Sequence, residues 1–226
     1  MSLKILIVAA TQSEAEILNS IPGIEPVEEG FIFNDIFIVP LVTGVGSIAT
    51  SWAMTKSITS GISPDLALNI GIAGTYREHI KIGDVVIPVS DCFADAGINT
   101  GKGFITLSEA GLEDSDAPPF RSGKIISENK YVSVITRLMK PASAVTVNMA
   151  TATENGIRSI MERYNPDIET MEGAAFFYVC SRENLPFAAI RSVSNRVEEI
   201  RDKKKWNIPL ALGNLTDKLN EVLLLL

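Results

Sequence analysis

Runs of apolar residues alternate along the chain with segments of helical periodicity, and this pattern predicts strands and helices in turn. Residues 5–10 are continuously apolar, which is typical of a strand that is covered on both faces of a sheet. The predicted strands are residues 5–10, 31–33, 36–42, 66–70, 84–89, 144–148 and 187–195. The predicted helices are residues 14–19, 47–61, 130–139, 155–164, 174–180 and 209–225. This order predicts one α/β domain over residues 1–226, with helices on both faces of a sheet.

One long segment, residues 91–122, interrupts the pattern. It is rich in glycine, proline and acidic residues and has weak periodicity. Long loops in compact domains are often functional or mobile, so we expect a loop-rich excursion here.

The composition narrows the class of protein. Hydrophobic residues make up 46% of the 226 positions, which is enough for one sizeable core. The net charge is −7 and the basic residues are scattered, so an extended nucleic acid is not an expected partner. No apolar run reaches the ~20 residues of a membrane span, and residues 4–10 lack the flanks of a signal peptide. We therefore expect a cytoplasmic protein without a membrane partner.

The cysteine and histidine content bears on redox state and metal binding. Cys92 and Cys180 lie in apolar surroundings without a CxxC spacing, which predicts reduced, buried thiols. His79 is the single histidine, so a histidine-based metal site is not expected.

Polar residues follow four of the predicted strands, and in open α/β sheets ligands bind outside the carboxyl ends of the strands. The four segments are residues 11–14, 43–47, 71–75 and 194–196. Two of them contain pairs of glycines that can bring backbone N–H groups close to a ligand, although ordinary tight turns have the same pattern. The four ends predict a ligand site at one edge of the sheet.

Two carboxylates and one arginine are unusual for their surroundings. Glu172 opens a strongly apolar segment, where a buried unpaired charge would cost several kcal/mol. It either binds a ligand or is an acid stabilised by the dipole of the following helix. Glu14 has the same two interpretations, because acids are favoured in the first turn of a helix. Arg191 lies near the end of an apolar strand and requires an acidic or ligand partner if it is buried.

Taken together, these segments resemble the purine nucleoside phosphorylase and nucleosidase family, and within it the methylthioadenosine/S-adenosylhomocysteine nucleosidase branch. The matching segments are KILIVAATQSEAE, VTGVGSIATSWAM, PDLALNIGIAGTYREHIKIGDVVIP, IETMEGAAFFYVC and PFAAIRSVSN, in this order over nearly the whole chain. The resemblance implies a nucleoside phosphorylase-like fold, a three-layer α/β/α domain with a central mixed sheet. It also implies a small-molecule purine nucleoside as substrate, no metal or organic cofactor, and a homodimer or higher homo-oligomer. Residues 48–58, with Trp52 and Met54, are a candidate interface helix, although burial within the monomer explains them equally well.

The resemblance assigns roles around the sugar. Glu14 stands where the hydrolases hold the carboxylate that activates water. Glu172 would bind the ribose 2′ and 3′ hydroxyls, with Met171 packed against the sugar, and Arg191 would lie near the attacking water. Because cleavage of an N-glycosidic bond develops positive charge on the ribose, an anion there suits the chemistry.

The resemblance also places residues around the purine. Ile72 stands where the adenine branch often has a serine beside the water, and Ala73 and Gly74 follow it in the glycine-containing turn. An aromatic side chain that could stack on the purine is not evident in residues 148–153. Thr153 and its neighbours are therefore expected to contact the purine through the backbone.

Asn195 departs from the family pattern, because the adenine-specific enzymes carry an aspartate at this position. An asparagine amide has two N–H donors and can serve N7 and O6 of a 6-oxopurine, so it favours a hypoxanthine-type base. The alternatives are a catalytically inactive site and an asparagine that only caps a turn. The stretch RSVSNRVEEIRDKKKW resembles the futalosine hydrolase subgroup, in which Trp206 would line the 5′ side of the substrate unless it only anchors a loop.

Three functions follow from this resemblance. The first is hydrolysis of futalosine, a nucleoside of a menaquinone pathway, to release hypoxanthine. The second is an adenine nucleosidase, acting on methylthioadenosine, S-adenosylhomocysteine or aminodeoxyfutalosine. The third is a nucleoside-binding protein without turnover. Hydrolysis is favoured over phosphorolysis, because Glu14 stands where the phosphorylases carry a phosphate-binding Gly-Asp-Pro-x-Arg element, and a carboxylate repels phosphate.

Overall fold

The computed structural model describes residues 3–101, 103–199 and 202–226. Its strands are β1 (Leu3–Ala9), β2 (Glu25–Val27), β3 (Gly30–Phe33), β4 (Ile36–Val42), β5 (Leu66–Thr75), β6 (Val85–Asp91), β7 (Gly97–Asn99), β8 (Phe104–Thr106), β9 (Phe120–Arg121), β10 (Lys124–Ile126), β11 (Lys140–Thr146), β12 (Ile168–Thr170) and β13 (Phe187–Arg196). Its helices are α1 (Gln12–Ala15), α2 (Ser47–Thr59), α3 (Lys130–Ile135), α4 (Glu154–Tyr164), α5 (Gly173–Arg182) and α6 (Ile208–Leu225), with 3₁₀ turns at Glu16–Ser20 and Lys203–Lys205.

A central mixed sheet organises the fold, as the sequence predicted. Among the described residues it contains eleven strands, and β2-β3-β4-β1-β5-β12-β11-β6-β10-β9 follow one another across it. β1 is parallel to both β4 and β5, whereas β12 is antiparallel to β5. β7 and β8 form a separate hairpin within the predicted excursion, and β9 near its end joins the central sheet. Most other described residues of the excursion lie in turns and loops.

β13 closes part of the sheet into a ring of five strands. β13 pairs with β5 along one edge and with β6 along the other, so that β5, β12, β11, β6 and β13 form a ring. Small and branched side chains from these strands fill it, among them Ala73, Ala144, Ile168 and Val193. This closure places both long strands, β5 and β13, at the centre of the molecule.

Helices cover both faces of the sheet. On one face, α6 buries Leu215, Leu219 and Val222 against β5 and β13, because apolar residues recur along it at helical spacing. On the other face, α5 packs against β5 and β13, and α2 packs against α5 and β4. Phe176 and Phe177 of α5 meet Phe187 of β13, and the rings of Phe177 and Phe187 lie 4.8 Å apart between centroids. The α5 segment is therefore the buried helix that the apolar run predicted.

Residues 71–75 are not a turn, and that prediction is wrong. They continue β5, since Gly71 pairs with Arg191 and Thr75 with Arg196 of β13. Glycines in this strand mark a close approach of side chains from elsewhere, rather than a change of chain direction.

Three other predicted elements have different bounds. Residues 14–19 form one turn of α-helix followed by a 3₁₀ turn, and the predicted helix 130–139 ends at Ile135. β11 then begins at Lys140 rather than at residue 144. Pro141 accounts for this early start, because the residue before a proline is driven into an extended conformation.

Both cysteines are free and buried, as predicted. Burial raises the pKa of the Cys92 thiol to about 12 and that of Cys180 well above its ordinary value. Both side chains therefore remain protonated thiols that behave as small apolar groups.

Candidate active site

Glu14 is held from two sides. It belongs to a capping box in which the Thr11 hydroxyl accepts a bond from the Glu14 N–H over 3.3 Å, and the Thr11 N–H donates to Glu14 Oε2 over 3.0 Å. From β5, the Ile72 N–H donates to the other carboxylate oxygen, Oε1, over 3.0 Å. The carboxylate is buried and joins the first helical turn to the central strand.

Glu14 and Arg191 meet at Gly71. A Cβ atom on Gly71 would lie 2.7 Å from Glu14 Oε1 and 3.8 Å from Arg191 Cζ. Gly71 and Arg191 are also partners in the ladder between β5 and β13. Glycine is therefore required at this position for space, because any side chain would displace the carboxylate.

Arg191 is fully surrounded by protein. Its guanidinium donates to the Asn69 backbone oxygen over 2.7 Å and to the Asn69 side-chain oxygen. Burial lowers the pKa of Arg191, and the carboxylates of Glu172, Glu14 and Asp91 oppose this shift. The expected acidic partners thus act on the guanidinium through space, whereas carbonyl oxygens bind it directly.

Glu172 lies at the first residue before α5 but makes no capping hydrogen bond to that helix. Its Oε1 instead accepts the Gly46 N–H over 2.9 Å, from the residue that precedes α2. Burial raises the pKa of Glu172, while the Gly46 bond and Arg191 lower it. The carboxylate is thus bound to the start of α2 rather than to its own helix, and it interacts electrostatically with Arg191 and Glu14.

The side chain of Asn195 is buried and its amide has a defined orientation. Its Oδ1 accepts the Ser194 hydroxyl over 2.8 Å, and its Nδ2 donates to the Arg196 backbone oxygen over 2.9 Å. Asn195 pairs with Gly74 after a register shift in β13. Because one N–H is bound to Arg196, a single N–H remains for a purine in this orientation.

β5 relates the two ends of the site. Gly71 marks the position of Glu14 and Arg191, and Gly74 marks that of Asn195. Three residues of a strand span about 10 Å. The Glu14 carboxylate and the Asn195 amide are therefore separated along one strand by a distance comparable with the length of a purine nucleoside.

The remaining predicted site residues have more varied environments. Met171 and Ile72 are partly exposed, whereas Ala73 and Gly74 are buried in β5. Thr153 is exposed and caps α4, accepting the Gly156 N–H over 3.1 Å. Trp206 is partly buried at the Asn195 end of β13, since Asn207, the next residue, donates its N–H to the Ser194 oxygen over 2.9 Å.

Sequence reasoning missed two buried carboxylates beside this site. Asp91 ends β6 and accepts from the Thr146 hydroxyl over 3.0 Å, and burial raises its pKa to about 7. Glu169, three residues before Glu172, accepts from the Tyr76 hydroxyl over 2.5 Å and from the Thr151 N–H over 3.2 Å. In both cases the only sequence signal is an acid at or within a strand of otherwise apolar or small residues.

Comparison with known proteins agrees with this architecture. Residues 4–224 match the model of the phosphorylase superfamily. The chain belongs to that superfamily. It is 30% identical to the futalosine hydrolase of Acidothermus cellulolyticus over 95% of this chain and 88% of that protein. It is 27% identical to the 5′-methylthioadenosine/S-adenosylhomocysteine nucleosidase of Buchnera aphidicola over 79% of this chain and 75% of that protein.

Solved structures of other superfamily members share the fold. The native futalosine hydrolase of Helicobacter pylori superimposes with a TM-score of 0.82 at 15% identity, covering 100% of this chain and 99% of that one. Both the sequence relatives and this structural neighbour are nucleosidases by name, so the resemblance seen in the sequence is confirmed at the level of the superfamily.

Among the described residues, no helix combines the length and the apolar character of a membrane span. In the same part of the chain, no group of three or more His, Cys, Asp and Glu side chains is arranged to hold a metal ion.

Proposed function

We propose that the protein hydrolyses the N-glycosidic bond of a purine nucleoside, and that its substrate is futalosine, from which it releases hypoxanthine. The observation that carries the proposal is the placement along β5 of the buried Glu14 carboxylate at one end and an oriented amide at the other. The buried Glu172 carboxylate is close enough to Glu14 and Arg191 to interact with both electrostatically. A relative named futalosine hydrolase, 30% identical over 95% of this chain, supports the choice of substrate.

In this mechanism Glu14 is the general base. Water attacks the anomeric carbon, its proton passes to Glu14, and its hydroxyl forms the new bond to the sugar. The electron pair of the broken C–N bond leaves with the purine, which takes its proton from solvent. The Thr11 N–H and hydroxyl both donate to Oε2 and the Ile72 N–H donates to Oε1, which keeps the carboxylate in one orientation and leaves one lone pair of Oε1 for the water.

Glu172 stabilises the sugar as positive charge develops on it. Its carboxylate would accept bonds from the ribose hydroxyls while the Gly46 N–H occupies one lone pair of Oε1, with Met171 against the sugar face. Arg191 balances part of the charge of Glu14 and Glu172, and its positive charge lowers the pKa of Glu172 against the effect of burial.

Asn195 selects the base. Ser194 directs the amide oxygen away from the ligand, so an N–H of Asn195 is the group offered to the purine. A donor suits N7 or O6 of hypoxanthine, whereas the 6-amino group of adenine would meet it as a second donor. This single N–H revises the expectation that the amide serves N7 and O6 together.

An adenine nucleosidase is the second candidate. The observation in its favour is the relative named 5′-methylthioadenosine/S-adenosylhomocysteine nucleosidase, at 27% identity. A rotated Asn195 amide would present its oxygen to the 6-amino group, at the cost of the bond from Nδ2 to the Arg196 backbone oxygen.

We also propose that residues 1–226 act as one domain within a homodimer. One face of α2 supports this, because Ile48 and Trp52 are 85% and 64% exposed. Met54 is completely buried in the monomer and cannot contribute to that face. The interface would adjoin the site, since Gly46 and Ser47 at the start of α2 bind Glu172 and Met171.

The test is release of hypoxanthine from futalosine by the purified protein in phosphate-free buffer. Turnover is expected without phosphate, and Glu14→Gln should lower kcat about 10²- to 10⁴-fold through loss of the base. Glu16→Gln, an exposed acid two residues away, is the matched control and should retain wild-type activity. Ligand-induced stabilisation of the wild type without turnover would instead establish a binding protein and contradict the proposal.

A further inference from the structure

Glu169 is a buried acid that the mechanism above does not use. Only 4% of its surface is exposed, yet it lies three residues before Glu172 on the strand that leads into the site. A buried carboxylate is costly unless hydrogen bonds satisfy it, so the groups that bind it indicate what it holds in place.

Two donors from separate segments converge on this carboxylate. The Tyr76 hydroxyl, immediately after β5, donates to Oε2 over 2.5 Å. The Thr151 N–H, in the loop of residues 148–153 that follows β11, donates to Oε1 over 3.2 Å. Bonds to a charged acceptor are stronger than those between neutral groups, so Glu169 ties this loop firmly to the end of β5.

The point of attachment coincides with the purine end of the proposed site. In the ladder between β12 and β5, Glu169 is the partner of Gly74. On the opposite side of β5, the partner of Gly74 is Asn195. Gly74 therefore lies between Glu169 and Asn195, and the loop held by Glu169 is fixed relative to the amide that would select the base.

Within the part of the chain that the structure describes, no other hydrogen bond ties the middle of the loop to the end of β5. Asn148 is bound to Asp95 at the exposed start of the loop, and Thr153 caps α4 at its end. Thr151, between them, is buried, and its N–H is directed to Glu169. Without this carboxylate the middle of the loop would lose the bond that sets its distance from β5.

We propose that Glu169 is a positioning residue for the purine, which holds residues 148–153 against the Asn195 end of β5 through Thr151. The inference rests on the proposed function, because it assigns this end of the site to the base. A residue with this role governs affinity for the base, in the nucleoside and in the free purine alike, and leaves bond cleavage to Glu14 and Glu172.

The test compares Glu169→Gln, Tyr76→Phe and the control Tyr164→Phe. Tyr164 packs in the same apolar cluster as Tyr76, but its hydroxyl donates to the Ala94 oxygen instead. For each protein, KM and kcat for futalosine and the dissociation constant of free hypoxanthine by calorimetry are measured, with thermal unfolding as the check on folding.

Glu169→Gln should raise KM and the dissociation constant of hypoxanthine together by about tenfold, with little change in kcat. Tyr76→Phe should shift both in the same direction by less, and Tyr164→Phe should change neither. Unchanged purine affinity in Tyr76→Phe and Glu169→Gln, or a loss confined to kcat, would overturn the inference. If the Gln variant does not fold, Tyr76→Phe alone decides.

The outcomes separate this inference from the proposed function. A wild-type protein that binds hypoxanthine but cleaves no nucleoside would contradict the proposed function, while the calorimetric comparison still decides the role of Glu169. If the wild type releases adenine instead, the dissociation constants of adenine are compared among the same variants.

Discussion

Gly46 donates its backbone N–H to Glu172 Oε1 over 2.9 Å, and this bond joins the start of α2 to the start of α5. Gly46 has φ +96°, a conformation that glycine adopts without strain. The glycine-containing segment 43–47 therefore does bring a backbone N–H into the site, but the group it binds is a carboxylate of the protein itself.

The protonation state of Glu172 should determine how enzyme activity declines at low pH. Burial raises its pKa above that of an ordinary glutamate, and the protonated form would not stabilise a cationic sugar. We expect kcat/KM to decline on acidification at a pH above the ordinary glutamate value of 4.5, and Glu172→Gln to lower kcat by about 10²- to 10³-fold. A pH profile of kcat/KM checks both, and an unchanged kcat in the variant would contradict the role.

Gly71→Ala should impair catalysis by displacing the base. The new Cβ would lie 2.7 Å from Glu14 Oε1, so the carboxylate or the strand must move. We expect kcat to fall at least about tenfold, because small displacements of a catalytic group are costly. Gly213→Ala in α6 is the control, since a Cβ there meets nothing within 4 Å. Equal activity in both variants would show that Glu14 is not confined as described.

Asn195→Asp should change the preference for the base. The carboxyl oxygen that replaces Nδ2 would accept from the 6-amino group of adenine, whereas it would repel O6 of hypoxanthine. We expect the ratio of kcat/KM for futalosine to that for methylthioadenosine to fall at least about tenfold. Ser194 should still bind the unchanged oxygen, so a ratio equal to that of the wild type would mean that residue 195 does not contact the base.

Asp91 should make stability depend on pH. Its folded-state pKa is raised from 3.8 to about 7, chiefly by burial, and its Oδ2 has no hydrogen-bond partner in the structure. A raised pKa means that the folded state binds the proton more tightly. Its contribution to stability is therefore complete below about pH 4 and is lost as the pH rises through about 7.

Asp91→Asn removes this titration and should be relatively more stable than the wild type at high pH. Thermal unfolding of both proteins at pH 5 and pH 8.5 checks the direction of this change in relative stability. A shift of one pKa unit corresponds to about 1.4 kcal/mol of folding free energy. A difference in Tm between the two proteins that does not vary with pH would contradict the assignment. Both proteins keep Arg191 and Glu172, whose charges also influence the pKa of Asp91.

The elements that local sequence dictates were predictable. The Thr11 and Glu14 capping box is readable from residues three apart, and the apolar segment of α5 predicted a buried helix. β5 was predicted too short, because glycines at positions 71 and 74 suggest a turn when their cross-strand partners are unknown. What decides their conformation is pairing with β13, which lies more than a hundred residues away in sequence.

The same limit applies to the site. Glu14, Glu172 and Arg191 were unusual for their surroundings in the sequence, but their roles and that of Asn195 came from the family resemblance. The structure places Glu14 and Glu172 within electrostatic reach of the Arg191 guanidinium. Asp91 and Glu169 carry no local pattern, since only closure of the sheet brings them beside the pocket. Single-sequence periodicity does not contain that information.

A competition experiment tests the central claim most directly. The wild-type protein is given equal concentrations of futalosine and methylthioadenosine in phosphate-free buffer, and the purines released are quantified by mass spectrometry. The account predicts that hypoxanthine accumulates first and in excess over adenine. Adenine in excess, or neither purine, would contradict it.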